Sequence, residues 1–246
     1  MYRTLKAANI VSTLETLKQR ISERFPASGL SKVCTDLVSV AQHTAARVDD
    51  VERPHWGMRV VLGVVVALSL LVLSWLATHA LTLKGTDEFA DVMQAVDAAV
   101  NLAVILGGAM FFVSTFESRW KRGRALEALH ELRSIVHVID MHQLTKDPSM
   151  LGGARTSASP DRDLSPFELI RYLDYCSEML SLTAKLAALY AERLSDAVVV
   201  DTVGDIERLT SELSSKIWQK ISIVQTLEGR ELPLPVPHHV TPPSTS

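Results

Sequence analysis

Two long apolar runs without a charged residue constrain this chain more than any other feature of its sequence. They cover residues 60–78 and 98–116, nineteen residues each. As a helix, a run of this length rises roughly 28 Å, which is close to the thickness of the hydrocarbon core of a bilayer. A buried helix of a soluble protein seldom runs this far without a polar side. The runs therefore predict two membrane-spanning helices.

The second run is the weaker one, because Asn101, Gly107 and Gly108 dilute its apolar side chains. If only the first run crossed the membrane, however, the second would be an apolar helix with nothing to cover it. The segment between the runs, residues 84–94, is short and acidic, and it cannot hold a domain. We therefore expect a transmembrane hairpin over residues 58–116 with an external loop at 84–94.

The distribution of Lys and Arg predicts how this hairpin is oriented. Three basic residues precede the first run, one lies between the runs and five follow the second: Arg47, Arg53 and Arg59, then Lys84, then Arg119, Lys121, Arg122, Arg124 and Arg133. Basic residues near span ends concentrate on the cytoplasmic side. Both termini are therefore predicted to be cytoplasmic. The richness in Ala and Leu fits the inner membrane of a bacterial cell.

The remaining sequence is typical of helices that pack on one another. Apolar residues recur in steps of four and three, the pattern of a coiled-coil seam. The predicted segments are a helical pair at 1–57, broken by Pro26 and Gly29; a helix continuing from the second span at 117–148; a linker at 149–165; a helical hairpin at 166–228; and a Pro-rich disordered tail at 229–246. The predicted fold class is an all-α membrane protein, with a two-span hairpin and a coiled-coil-like bundle of cytoplasmic amphipathic helices.

Local signals mark the limits of the last two helices. Ser165 and Glu168 form a capping box around Pro166, which favours a helix start at this point. The seams on either side of residues 195–201 do not join in one register, which predicts a turn or a stutter there and an antiparallel helical pair, within one chain or shared between chains. Lys220 is the clear misfit in the last seam.

The candidate functional residues lie in or beside the predicted spans. Arg119, Trp120, Lys121, Arg122 and Arg124 would contact anionic lipid headgroups or only set the topology. Small residues recur at Gly63 and Ala67, and at Ala99, Ala103 and Gly107, and would pack the hairpin on itself or on another copy. Asp97, Asn101 and Ser114 are polar at or near membrane depth, which is typical of a partner contact or a pore lining.

Few residues of the sequence are arranged as catalytic or metal-binding groups. His137 and Asp140, one helical turn apart, are the best metal candidates, but His130 stands roughly 10 Å from His137 along the axis, too far to share an ion. No nucleotide, zinc-protease or serine-hydrolase motif is present. We expect no metal, no cofactor and no enzymatic activity. The net charge of -3 argues against a nucleic-acid partner, and Cys34 and Cys176 are read as reduced core thiols.

These observations predict an integral membrane scaffold, anchor or regulator. It would self-associate through its heptad helices and hold a cytoplasmic protein partner. The alternative is a small pore-forming or channel-like two-span effector, based on the polar and small residues of the second span. A membrane metalloenzyme or lipid-modifying enzyme built on His130, His137 and Asp140 is the third class.

Overall fold

The computed structural model describes residues 5–52, 56–82, 88–146, 148 and 164–228. In these residues the chain is all helical and forms no strand. The helices are α1 (Ala7–Arg24), α2 (Gly29–Glu52), α3 (Trp56–Thr82), α4 (Glu88–Leu144), α5 (Pro166–Arg193) and α6 (Ala197–Leu227). They form two compact units: residues 1–48 with 128–246, and residues 49–127.

The first unit is a bundle of α1, most of α2, the end of α4, α5 and α6. Its core consists of the residues that recur in steps of four and three. The buried seam positions are Ile10, Leu14, Leu17 and Ile21 in α1; Leu30, Cys34, Leu37, Ala41, Thr44 and Val48 in α2; Leu129, Leu132, Val136 and Ile139 in α4; Leu169, Leu173, Cys176, Leu180, Thr183, Ala187 and Tyr190 in α5; and Val199, Val203, Ile206, Thr210, Leu213, Ile217 and Val224 in α6. The amphipathic pattern thus identifies the inner face of each helix.

α5 and α6 form a hairpin at the predicted turn, which occupies residues 194–196. So short a connection makes the two helices antiparallel neighbours. At the start of α5, the Ser165 hydroxyl accepts a hydrogen bond from the Glu168 amide, and the Ser165 amide donates to the Glu168 carboxylate. Asp196 caps α6 by accepting from the amides of Val198 and Val199. Both helix starts therefore have a local cause in the sequence.

Contacts between helices set the directions of the other elements. α1 turns into α2 through Pro26 and through Ala27, whose φ of 57° is in the left-handed region. Arg47 of α2 forms an ion pair with Glu131 of α4, in which Nη1 lies 3.0 Å from Oε2. At the other end of α2, a Cβ on Gly29 would meet the ring of His142. α2 and α4 are therefore antiparallel, and a larger residue at position 29 would require the His142 ring to move.

The seam prediction was wrong at the end of α6. Leu227 is 59% exposed, because α6 ends at this residue, and Ile221 is buried instead. Leu194, at the end of the α5 seam, is only half-buried. The misfit Lys220 is partly buried and bonds to Gln143 of α4, with its Nζ 2.9 Å from the backbone oxygen and 2.7 Å from Oε1.

The second unit contains α3 and the first part of α4. α3 has 27 residues and includes the first predicted span, and α4 has 57 residues and includes the second. Of the described helices, α4 is the one long and apolar enough to cross a membrane, and α3 contributes a shorter apolar stretch, Gly63–Val72. α4 also continues without a break through the basic residues after the second run, as the sequence predicts.

Several predicted features lie wholly or partly outside the described residues. These are residues 84–87 of the predicted loop, with Lys84; residues 149–163 of the linker; the tail at 229–246; and Arg53. The rest of the predicted loop, residues 88–94, is not a loop but the first part of α4. The side chains of Arg59, Ser114 and Val51 are also outside the described part, although these residues lie in helices.

Candidate functional site

Most of the apolar part of α4 is exposed, and one stripe of it, residues 102, 106, 109 and 113, is half-buried. Val104 is 69% exposed, Phe111 74% and Phe112 70%, and none of the apolar window is buried. Because successive helical residues point about 100° apart, exposure of neighbours such as Val104 and Ile105, or Phe111 and Phe112, means that exposed apolar surface covers most of the helix circumference. Soluble proteins rarely expose apolar surface on this scale. This segment therefore needs a covering other than water.

Basic residues follow the apolar part directly and surround the helix. Four consecutive positions, residues 119–122, point to all sides of α4 in just over one turn. From residue 119 to residue 124 the helix rises roughly 7.5 Å, similar to the headgroup layer of one leaflet, about 5 to 7 Å. We call Arg119, Trp120, Lys121, Arg122 and Arg124 the basic collar. The basic collar is therefore about as tall as one headgroup layer.

The contacts within the basic collar leave part of its charge available. The Arg124 guanidinium lies over the Trp120 ring, with Cζ 4.9 Å from the ring centroid. Lys121 pairs with Glu117, 2.9 Å between Nζ and Oε1. Arg119 is exposed and makes no ion pair with any described residue. Trp120 is 39% exposed, as expected for an aromatic residue at a membrane interface.

The predicted packing residues lie on exposed helix surface. Gly63, Ala67, Ala99, Ala103 and Gly107 are all exposed. Among the described atoms outside the local helix backbone, none comes within 4 Å of a Cβ built on Gly63 or Gly107. These surfaces are therefore open to lipid or to a second copy.

The predicted polar membrane residues form one local pair. Asp97 and Asn101 are exposed, and the Asn101 amide donates to Asp97 over 3.4 Å, one turn along α4. The Ser114 side chain is outside the described part. A hydrogen bond within the helix satisfies one amide proton of Asn101 and leaves the other available.

The histidines of α4 are separated in the structure. His130 and His137 are exposed, while His142 lies against Gly29. Asp140 accepts a hydrogen bond from Gln143, 2.6 Å from Oδ1 to Nε2. Within the described ranges, no three His, Cys, Asp or Glu residues come together as metal ligands.

The two cysteines are fully buried in the bundle. Burial raises the pKa of the Cys34 thiol to about 11 and that of the Cys176 thiol to about 12. Nearby lysines, Lys18 for Cys34 and Lys220 for Cys176, oppose this rise but do not cancel it. Neither thiol is suited to act as a nucleophile.

A group of arginines and aromatic rings between α1 and α5 was missed by the sequence analysis. We call Arg20, Arg24, Phe25, Phe167, Arg171, Tyr172 and Tyr175 the arginine–aromatic cluster. The Phe25 ring packs edge-on against Tyr172 and Tyr175, with centroids 5.6 and 6.3 Å apart. Arg20 and Arg24 are four residues apart in α1, as are Arg171 and Tyr175 in α5. This spacing could have indicated two shared faces, but not that they meet.

Comparisons with known proteins found no relative of this chain. No protein family, no curated protein and no solved structure matches the chain. Function is therefore inferred from the bundle, α4 and the basic collar.

Proposed function

We propose that this chain is an integral membrane scaffold, anchor or regulator without enzymatic activity, which holds a helical bundle at the cytoplasmic face of a membrane. One observation carries the proposal. α4 is a single helix whose first part is apolar and largely exposed and whose last part is packed in the bundle. Lipid is the covering that such a surface needs.

The packing of the bundle supports a two-span hairpin. Residues before α3 and residues after the apolar part of α4 belong to the same bundle, as the contact between Arg20 of α1 and Glu178 of α5 illustrates. Both parts must then lie on one side of the bilayer, and the chain between them crosses an even number of times. If α4 crosses, a second crossing is needed, and α3 contains the charge-free run 60–78, which is long enough to provide it.

The basic collar supports the cytoplasmic orientation. Its net positive charge follows the second span directly, where the positive-inside rule expects it. We propose that its exposed guanidinium groups contact anionic lipid headgroups, while Trp120 lies at the interface. Each such charge contributes about 1 kcal/mol near an anionic surface. Both termini are then cytoplasmic in a multi-pass protein of the cell (inner) membrane.

Membrane fractionation tests the anchor. The full chain, expressed in cells, should sediment with membranes after an alkaline wash and enter solution only with detergent. A Val104→Arg, Ile105→Arg variant should shift toward the supernatant, because each arginine at the centre of a span costs about 2.5 to 3.5 kcal/mol. A matched Ser211→Arg, Ser215→Arg variant on exposed positions of α6 should sediment like the wild type. Wild-type protein that stays in the supernatant refutes the anchor.

Self-association is supported by the open small-residue surfaces of α3 and α4. Small residues let membrane helices approach closely. Mass measurement of the protein in mild detergent should give more than one copy per particle, and replacing both Ala103 and Gly107 with Leu should lower that number. A strictly monomeric wild-type particle would exclude self-association.

A second candidate function, a pore, rests on the exposed pair of Asp97 and Asn101. Polar groups on the surface of a spanning helix often face water or a polar partner. A membrane-potential dye in expressing cells distinguishes the two functions. If the protein is a pore, the wild type should lower the membrane potential and the Asn101→Leu variant should lower it less. If the protein is a scaffold, neither the wild type nor the variant should change the potential.

A further inference from the structure

The charge-free run of α4 contains a single side-chain amide. Asn101 is the only Asn or Gln in the run 98–116. Its amide donates to the carboxylate of Asp97, the residue before the run, with Nδ2 3.4 Å from Oδ2. Both side chains are exposed, and neither makes another side-chain hydrogen bond or an ion pair with a described residue. One amide proton and the amide oxygen of Asn101 therefore still need partners.

This polar pair lies on the side of α4 that the chain itself leaves uncovered. The half-buried stripe of α4 consists of residues 102, 106, 109 and 113. At about 100° per residue, a second set of positions centres roughly 150° around the helix from that stripe, and its members recur in steps of four and three, the spacing of a helix–helix seam. We call this set the Asn101 face. Its residues, all exposed, are Asp97, Asn101, Val104, Gly108 and Phe111.

Lipid tails do not suit the Asn101 face. An amide without a hydrogen-bond partner is costly in an apolar medium, and lipid tails offer neither donors nor acceptors. Gly108 follows Asn101 after seven residues, and a Cβ built on it meets no described atom within 4 Å outside the local helix backbone. A second helix backbone can therefore come close on the side where the amide needs a partner.

A second copy of this chain supplies what the Asn101 face lacks. A bilayer orients every copy in the same direction, so equal residue numbers lie at equal depth. A two-fold axis along the membrane normal then brings Asn101 of one copy to Asn101 and Asp97 of the other. The pair holds both a donor and an acceptor, so the face is complementary to itself. Asp97 precedes the apolar run, which puts its carboxylate at the edge of the hydrocarbon layer and not within it.

We propose that the Asn101 face is a contact between two parallel copies of this chain, in which the amide of each copy donates to Asp97 or Asn101 of the other. This inference rests on the proposed function, because it names the partner and the helix face for self-association. One polar residue in an otherwise apolar seam fixes the register of the helices. Ala103 and Gly107 lie on a different side of α4, so the two surfaces can be tested separately.

Disulfide cross-linking of the full chain in membranes tests the face. Single cysteines are introduced as Val104→Cys and Gly108→Cys, and the membranes are oxidised before detergent is added. Cys34 and Cys176 are fully buried and give little background. Met110→Cys is the matched control: it is exposed and within roughly 3 Å of residue 108 in depth, but it lies on the side of Ala103. Both test variants should form covalent dimers, and the control should form several-fold fewer.

Removing the amide tests its role within the contact. In the Val104→Cys background, Asn101→Leu should lower the cross-linked fraction roughly threefold or more, because interhelical hydrogen bonds are lost. Asn101→Gln keeps an amide and should lower it less. Leucine makes the run more apolar, so this variant still enters membranes, which sedimentation checks. An undiminished cross-linked fraction with Asn101→Leu would overturn the proposal, as would a yield for Met110→Cys equal to or above that for Val104→Cys.

Failure of this contact and failure of the anchor give different results. A protein that sediments with membranes but does not cross-link through residues 104 and 108 keeps the anchor and loses the Asn101 contact. Cross-links through residue 110 alone would leave self-association in place and assign it to the other side of α4. A wild-type protein that stays in the supernatant removes the anchor itself, because the polar pair then has water as its partner.

Discussion

Lys220 places a charge in the apolar seam of α6, and its partners explain why it is tolerated. Its ammonium group donates to the backbone oxygen and the side-chain oxygen of Gln143, one residue before the end of α4. Gln143 is 1% exposed and in turn donates to Asp140. A cation near the last carbonyls of a helix also compensates the negative end of its dipole. Lys220 therefore ties α6 to the end of α4.

Lys220→Met tests this tie. The variant loses two charge-assisted hydrogen bonds and leaves oxygen atoms of the buried Gln143 without these donors, while methionine gains little, because the lysine stem already packs along the helix. We expect a loss of about 1 to 2 kcal/mol in stability. The thermal midpoint in mild detergent, followed by circular dichroism, should fall by a few degrees.

The control for this variant is Lys216→Met, one turn earlier in α6. Lys216 is exposed and makes no ion pair or side-chain hydrogen bond with a described residue. Its replacement should change stability by less than about 0.5 kcal/mol. Equal midpoints for the two variants would contradict the role given to Lys220.

The buried thiols give a prediction about reactivity. The pKa is about 11 for Cys34 and about 12 for Cys176. At pH 8 each residue therefore forms at least roughly a hundred-fold less thiolate than an ordinary cysteine does. Iodoacetamide at pH 8 should therefore leave the native protein unmodified and add two groups after denaturation, as read by mass spectrometry. Rapid modification of the native protein at either cysteine would contradict their burial.

The pH dependence of stability from these thiols has a definite sign. Their pKa values are raised in the folded state, so the folded protein keeps these protons where the unfolded chain loses them. The stabilising contribution is complete below the ordinary thiol pKa of 9.0 and is lost as the pH rises through 11 and 12. Thermal unfolding followed by circular dichroism should therefore give a lower midpoint at pH 10 than at pH 8.

At the scale of elements, the inner face of each helix could be predicted from the sequence, but the pairing of the faces could not. Ile10 and Leu14, or Leu169 and Leu173, are spaced so that only a helix brings them to one side. The contact of Phe25 with Tyr172 joins residues nearly 150 positions apart, and no local pattern encodes it. Leu227 shows a second limit, because a seam continues in sequence after the helix has ended.

The start of α5 is fixed by its capping box, and Ser165→Ala tests it. The Ser165 hydroxyl accepts from the Glu168 amide, and alanine leaves that amide without its acceptor. Loss of such a cap costs about 1 kcal/mol. We expect the thermal midpoint to fall by a few degrees. Because the α5 seam begins at Leu169, fraying of the first turn should also increase hydrogen exchange there.

Ser211→Ala in the exposed middle of α6 is the matched control. The Ser211 hydroxyl donates no hydrogen bond to a described residue, and alanine favours helix more than serine does. This variant should be as stable as the wild type or slightly more stable. A midpoint for Ser165→Ala equal to that of the control would show that the box does not determine where α5 begins.

At the scale of the whole molecule, the bundle restricts the topology in a way that hydropathy alone cannot. Apolar length predicts that a helix can cross a membrane, but it does not say how many crossings occur. The packing of α1 on α5 adds the missing condition, because the segments before and after the spans must share one side. A chain crossing through α4 alone would break this bundle. The number of spans is therefore linked to contacts outside the membrane.

Labelling with a membrane-impermeant maleimide tests this link, with single cysteines introduced as Ser12→Cys, Glu88→Cys and Ser211→Cys. Cys34 and Cys176 give little background because they are fully buried. In intact cells, we expect labelling at residue 88 only, with residues 12 and 211 labelled after the cells are opened. Ser12 and Ser211 are exposed positions on α1 and α6, so burial does not explain their protection. Labelling of residues 12 and 211 on opposite sides would refute the two-span hairpin and the bundle together, whereas residue 88 labelled only after opening would refute the hairpin in its predicted orientation.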